Sequence, residues 1–248
     1  MAETIQSVER AAAILRLLAS GGRPLSLAEL ARGMNLPKGT LHGIVRTLVG
    51  VGFVEQDDAT GRYRLGPALL HLGSSYLDVN ELRAHALNWA DALAGRSGES
   101  VWIGMLHEDQ VLVIHHVFRP DDSLQVLQVG TLLATHATAI GKVLLAFDPY
   151  AEACPPLLAL TKNTVVSAAA LELELERVRA RGWAAEIEEL EEGEAAIAAP
   201  IRDRRGLAVG AIGIRGAIER LMQGDEVRME LVSYVRDAAR AITRDLAR

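Results

Sequence analysis

Ser26-Leu27-Ala28-Glu29-Leu30-Ala31-Arg32-Gly33-Met34-Asn35-Leu36-Pro37-Lys38-Gly39-Thr40-Leu41-His42-Gly43-Ile44-Val45-Arg46-Thr47-Leu48 reads as two short helices joined by a tight turn. Ser26 and Glu29 stand at capping-box spacing, so Ser26 caps the first helix and Glu29 reaches back to it. Leu27, Leu30 and Ala31 share one face. Gly33 to Leu36 breaks the helix, and Asn35 tolerates the backbone a turn requires. Pro37 suits the first position of the next helix, where no amide hydrogen is missed. Leu41, Ile44, Val45 and Leu48 then recur at helical spacing as a buried stripe.

The other face of this second helix carries Lys38, Gly39, Thr40, His42, Gly43, Arg46 and Thr47, with no acid among them. A helix entering the major groove of double-stranded DNA needs such a face. Its first turns approach base edges, its hydroxyls and cations meet bases and phosphates, and no carboxylate repels the backbone. Ser26 and Pro37 join the candidate contacts from the two helix starts. A helical hairpin with a merely solvated face is the competing reading.

Outward from this pair, Ser7 caps a first helix with Val8, Ala11, Ala12, Leu15 and Leu18 on one face, ended by Gly21-Gly22. Phe53-Val54-Glu55-Gln56 and Arg62-Tyr63-Arg64-Leu65 flank the turn-rich Asp57-Asp58-Ala59-Thr60-Gly61 and predict a β-hairpin. Three helices and a two-stranded wing make a winged helix-turn-helix over residues 1–66. Arg62 and Arg64 share a strand face and either meet phosphates beside the groove or are solvated edge-strand arginines. Residues 67–80 predict a linker helix begun by Pro67, with Asn80 or Asp78 capping the helix that follows.

Residues 81–248 predict a sensing body. Ser100 to Leu106 and Gln110 to Val117 are apolar strands around a short turn, and Leu124 to Val129 reads as a third. Helices follow over Ala137 to Phe147 and Leu171 to Arg181, three more strands over Trp183 to Glu188, Ala196 to Arg202 and Leu207 to Ile214, and a last helix from Gly224 to Leu246. Strand pairs followed by helices, without regular alternation, predict an α+β body with helices on an antiparallel sheet.

The 248 residues carry a net charge of −6, but the charge is uneven. Residues 1–66 hold 8 Lys/Arg against 6 Asp/Glu, and the remainder holds 18 against 26. That is a mildly basic, DNA-facing head on an acidic body. The chain has no apolar run long enough for a membrane span and no basic-then-apolar leader, so neither a membrane nor secretion is expected. One cysteine, Cys154, suits a reducing cytoplasm and reads as a structural thiol.

Taken together, the chain resembles the IclR family of bacterial transcriptional regulators. The likeness rests on Ile5-Gln6-Ser7-Val8-Glu9-Arg10-Ala11, on Leu36-Pro37-Lys38-Gly39-Thr40-Leu41-His42, and on Gly61-Arg62-Tyr63-Arg64-Leu65-Gly66. In the body it rests on His136-Ala137-Thr138-Ala139-Ile140-Gly141-Lys142 and on Glu188-Glu189 through Gly193 to Ala198-Ala199-Pro200-Ile201. The resemblance implies a GAF-like effector domain, and dimers that pair into tetramers. A narrower likeness, to actinomycete members that control glycerol operons, rests on His42 to Leu48, Gly52 to Asp57, Ser75 to Val79 and His115 to Ser123. It implies glycerol or glycerol 3-phosphate as the effector of a repressor; another carbon source or an aromatic acid is the alternative.

Family resemblance also implies that Ala196, Gly213 and Arg215 line the effector pocket, where many relatives have Cys and hydroxyl residues. Many relatives likewise have Arg where this chain has Gly43, which shifts DNA contact to Lys38, His42 and Arg46. Thr135-His136-Ala137-Thr138 precedes a helix, so the segment His136 to Gly141 suits an anion at a helix N-terminus. Trp102 and Met105 supply an apolar wall. Arg215 either holds the ligand's charge or pairs with a carboxylate between Glu186 and Glu194.

Other chemistry is weaker. His115 and His116 are adjacent on a strand and point to opposite faces, which disfavours a shared metal. The six acids from Glu186 to Glu194 read as a solvated run. With no nucleophile elbow, P-loop or G-x-G-x-x-G, neither an enzyme nor a cofactor is expected. The rival reading is a metabolite-binding signalling module without DNA binding; the acid-free helix face speaks against it.

Overall fold

A computed structural model describes residues 5–20, 22–78, 80–121, 123–151 and 156–248. Cys154 lies outside the described residues. The chain divides into two compact units between residues 79 and 80.

The first unit contains α1 (Gln6–Ser20), α2 (Leu27–Met34), α3 (Lys38–Gly50), β1 (Val54–Gln56), β2 (Tyr63–Leu65) and α4 (Ala68–Asp78). Ile14 and Leu18 of α1, Leu30 of α2, and Leu41, Val45 and Leu48 of α3 close one core with Val54 and Tyr63 of the wing. The β1–β2 hairpin is antiparallel, and Leu25 extends it by pairing with Tyr63. Both halves of the capping box form: Ser26 N donates to Glu29 at 2.8 Å, and Glu29 N donates to Ser26 Oγ at 3.3 Å. Asn35 takes the left-handed conformation that ends α2 (φ 49°).

Three boundaries move. Helix α1 starts at Gln6, so Ser7 lies inside it. Gly33 belongs to α2 instead of breaking it: a Cβ there would stand 2.8 Å from Leu17 Cδ2, so the glycine lets α1 and α2 approach. Pro37 caps α3 from outside, and Lys38 is the first helical residue.

The second unit contains α5 (Glu81–Ser97), β3 (Ser100–His107), β4 (Gln110–Val117), β5 (Leu132–Ala134), α6 (Ala139–Phe147), α7 (Ala168–Arg181), β6 (Ala184–Ile187), β7 (Glu194–Arg202), β8 (Ala208–Ala217), α8 (Ile218–Leu221), β9 (Met222–Gln223), β10 (Glu226–Val227) and α9 (Met229–Leu246). Six strands form one antiparallel sheet in the order β5-β4-β3-β8-β7-β6. Helix α6 packs on one face, where Ile140, Val143 and Leu144 meet Val111, Ala198 and Ala211. Helices α5 and α9 are tied to each other by Trp89 Nε1 donating to Asp245 at 2.8 Å.

Leu124 to Val129 is not a strand. The edge of β4 is taken instead by Leu132–Ala134, paired with Gln110, Val111 and Leu112. Gln125 and Gln128 divert the earlier segment: Gln125 bonds the backbone of Arg119 at both ends of its amide, and Gln128 N donates to His116 Nδ1. The last helix starts at Met229, because Gly224 (φ 64°) serves the small β9–β10 hairpin.

Candidate functional site

Lys38, Gly39, Thr40, His42, Gly43, Arg46 and Thr47 are all exposed on α3, while Leu41, Val45 and Leu48 on its other side are buried. No acid lies on that exposed face. No side chain caps the α3 N-terminus, so its first-turn amides remain available to an anion such as a DNA phosphate. Thr47 Oγ1 donates to Gly43 O at 3.0 Å, which turns its hydroxyl back onto the helix.

The other candidate contacts are more constrained. Ser26 Oγ is the α2 cap. Arg62 bonds Glu29 Oε2 at 3.0 Å and Pro24 O at 3.1 Å, and Arg64 bonds Glu55 at 3.0 Å. Glu29 also receives Arg23 at 2.9 Å. The Ser26 backbone and Arg23 hold the Glu29 carboxyl down at about 2, so it stays ionised. Arg62 shares Glu29 with Arg23, and Arg64 pairs with Glu55, so each of these two arginines has an acidic neighbour within the head.

In the second unit, a small cavity of about 20 Å³ lies between the sheet and α6. Its floor follows from the strand register. Trp102, Gly213, Ala198 and Ala184 stand side by side across β3, β8, β7 and β6, and so do Ser100, Arg215, Ala196 and Glu186. Small residues at the centre of these rows leave room that larger ones would fill. At Gly213 a Cβ would stand 2.6 Å from Ile197 O. Trp102, Thr138, Ala196, Gly213 and Arg215 line the cavity.

His136, Ala137, Gly141 and Met105 do not line it. His136 is buried, with Nε2 at 3.0 Å from Leu158 O. Ala137 is fully buried. Gly141 permits close packing: a Cβ there would stand 2.2 Å from Thr135 O. Met105 receives Asn80 Nδ2 at 3.7 Å. Thr138 positions α6, accepting from Gly141 N at 3.1 Å and donating to Ala134 O at 3.0 Å.

The acid run is not solvated throughout. Glu186 is 1% exposed and Glu189 is 9% exposed, and each meets a buried cation. Arg215 donates to Glu186 at 3.0 Å and to Glu191 at 3.0 Å, with Glu194 at 3.7 Å. Lys142 Nζ lies 2.5 Å from Glu189 and 3.4 Å from Ala185 O. Arg215 thus makes the ion pair that was one of the two expectations, and it also lines the cavity. Glu186 is the lining residue that sequence reading passed over. Its signal was the alternation of Ala184 to Ile187, which puts Glu186 on the face of Ala184.

Burial pushes Glu186 up to about 7, against the opposing pull of Arg215. Its folded value lies above its unfolded one, so the folded state holds this proton more tightly. Stability from this group is fully present below about 4.5 and is lost as pH rises through 7. Urea unfolding of the second unit is expected to show a loss of about 3 kcal/mol over that window, which Glu186→Gln flattens. An unchanged slope in the variant would assign the pH dependence to another group.

His115 and His116 sit on opposite faces of β4. Burial lowers both, and His116 packs edge-on against Trp102 and Phe118. Among the described residues, no three His, Cys, Asp or Glu side chains gather as metal ligands. No helix among them is long and apolar enough to cross a membrane.

Residues 7–58 match the IclR helix-turn-helix domain, and residues 74–244 match the C-terminal domain of IclR bacterial transcriptional regulators. The chain belongs to the IclR family. As an IclR protein it is a DNA-binding transcriptional regulator, with its helix-turn-helix in the first unit. It is 59% identical to the glycerol operon regulatory protein of Streptomyces coelicolor, over 99% of this chain and 98% of that one. The protein of the same name from Streptomyces griseus is 55% identical over the same shares. An IclR homolog from Microbacterium hydrocarbonoxydans, solved with 4-hydroxybenzoate, superposes with a TM-score of 0.79 at 25% identity, covering 97% of this chain and 98% of that chain.

Proposed function

We propose that this IclR regulator represses a glycerol catabolism operon and is released from it by glycerol or glycerol 3-phosphate. The observation that carries the proposal is the near full-length likeness, at 59% identity, to a glycerol operon regulatory protein. The exposed, acid-free face of α3 reads the operator through Lys38, His42 and Arg46, with Gly39, Thr40 and Gly43 allowing close approach. The effector occupies the cavity bounded by Trp102, Thr138, Ala196, Gly213 and Arg215. The site of action is the cytoplasm, where the operator DNA is.

The regulator acts as a dimer or a pair of dimers. Ile5 (69%) and Val8 (63%) at α1, and Leu70 (74%) and Leu72 (53%) on α4, are exposed apolar side chains that suit a self-paired head. Two heads then span half-sites about 10 base pairs, or a multiple, apart. A ligand moves such a dimer off DNA only by binding its two arrangements unequally, so DNA must weaken ligand binding by the same factor.

Gel shifts on the DNA upstream of a glycerol operon test this directly. Glycerol or its phosphate is expected to release the protein, and light scattering is expected to show at least a dimer. Retention of the complex at saturating concentrations of both ligands would refute the effector. A monomer that binds the operator fully would refute the assembly.

A further inference from the structure

We propose that Glu186 and Arg215 make the cavity charge-selective, so that it takes an uncharged hydroxylated ligand such as glycerol and turns away phosphate and carboxylate anions. This inference deepens the glycerol reading and rests on it.

Among the described residues Arg215 is the only cation lining the cavity, and each of its three guanidinium nitrogens faces a carboxylate. One guanidinium nitrogen faces Glu186, a second faces Glu191, and the third is near Glu194. Three carboxylates thus surround one positive charge, and an incoming anion meets their repulsion. The second buried cation, Lys142, is matched by Glu189 and does not line the cavity. The α6 N-terminus, at Thr138, Ala139 and Ile140, offers about half a positive charge. One of its amides is already capped by Thr138 Oγ1. A carboxylate of full charge on the cavity wall outweighs it.

The hydrogen-bonding groups point the same way. Trp102 lines the cavity, and its Nε1–H is buried without a partner. Glu186 Oε2 accepts from the Glu189 and Leu190 amides and Oε1 from Arg215, which leaves Oε1 one lone pair to offer. A hydroxyl accepts from one and donates to the other, whereas a phosphate or carboxylate anion offers acceptors alone. The remaining wall, including Leu133, Ile140, Leu190 and Ile197, is apolar and suits a carbon skeleton.

Calorimetry of the full-length protein at about pH 8, where Glu186 is ionised, separates the outcomes. Glycerol is expected to bind at least ~10-fold more tightly than glycerol 3-phosphate or 4-hydroxybenzoate. Glu186→Gln keeps the shape and removes the charge, so it should raise anion affinity ~10-fold or more while glycerol changes less. Glu191→Gln, at an exposed acid, should give a smaller rise in the same direction and guards against misfolding of the buried variant. Tighter binding of glycerol 3-phosphate by the unmodified protein would overturn the selectivity and leave the glycerol reading standing. Binding of an anion in place of both glycerol ligands would overturn that reading together with the inference. Anion affinity unchanged in both variants would show that these carboxylates do not set the selection.

Discussion

Arg46→Ala is expected to weaken operator binding by about 1–3 kcal/mol per half-site, and so by about 2–6 kcal/mol for a dimer that makes the contact twice. Arg46 stands on the exposed side of α3, two turns in from the helix start. Buried Leu41, Val45 and Leu48 fix which way that side faces. Gly43, one turn before it, has open space where a side chain would stand. Anisotropy titrations at two salt concentrations distinguish what it touches. Loss confined to the cognate sequence marks a base contact. Loss on all sequences, with a smaller salt slope, marks a phosphate. Full affinity in both Lys38→Ala and Arg46→Ala would remove α3 as the reading helix.

Lys142→Ala is expected to destabilise the second unit by about 3–5 kcal/mol, since it strands Glu189 as a buried charge with no counterion. Lys142 is 2% exposed and reaches from α6 to Glu189, beyond the end of β6. Breaking one partner is costly because the survivor keeps its desolvation penalty. Pairing the substitution with Glu189→Leu should therefore recover most of the loss. Urea unfolding of the single and double variants checks both statements. A single variant as stable as the parent would mean that water reaches Glu189 and that the pair is structurally idle.

What could be read from the sequence was local. Ser26, Glu29 and Asn35 act on backbone atoms within a few residues, so spacing alone determined their roles. The exposed face of α3 follows from a helical repeat in the same way. Of the body's charge pairs, the sequence offered that of Arg215 only as one of two alternatives and that of Lys142 with Glu189 not at all, because both form only after the sheet has assembled. Sequence proximity made Glu186 to Glu194 look like one solvated run, while the strand register buried some of these acids and exposed others. A helix start suits an anion, and that alone points to His136 and Gly141 as ligand contacts. The fold uses both for packing, with His136 against Leu158 O and Gly141 against Thr135. Leu124 to Val129 failed as a strand because pairing on an edge depends on competition. Leu132–Ala134 won that edge.

The Glu29 cluster sets how the head can measure DNA. One carboxylate joins the α2 start, Arg23 before it and Arg62 beside the wing. With Val54 and Tyr63 packed in the helix core and Leu25 paired to Tyr63, the hairpin is joined to the helix pair by packing as well as by charge, like the fixed jaws of a gauge. Little ordering remains to be done when the head docks, and that lowers the entropic cost of association. For the DNA binding proposed above, an operator whose groove contacts and flanking backbone are displaced from their proper separation is expected to bind more weakly.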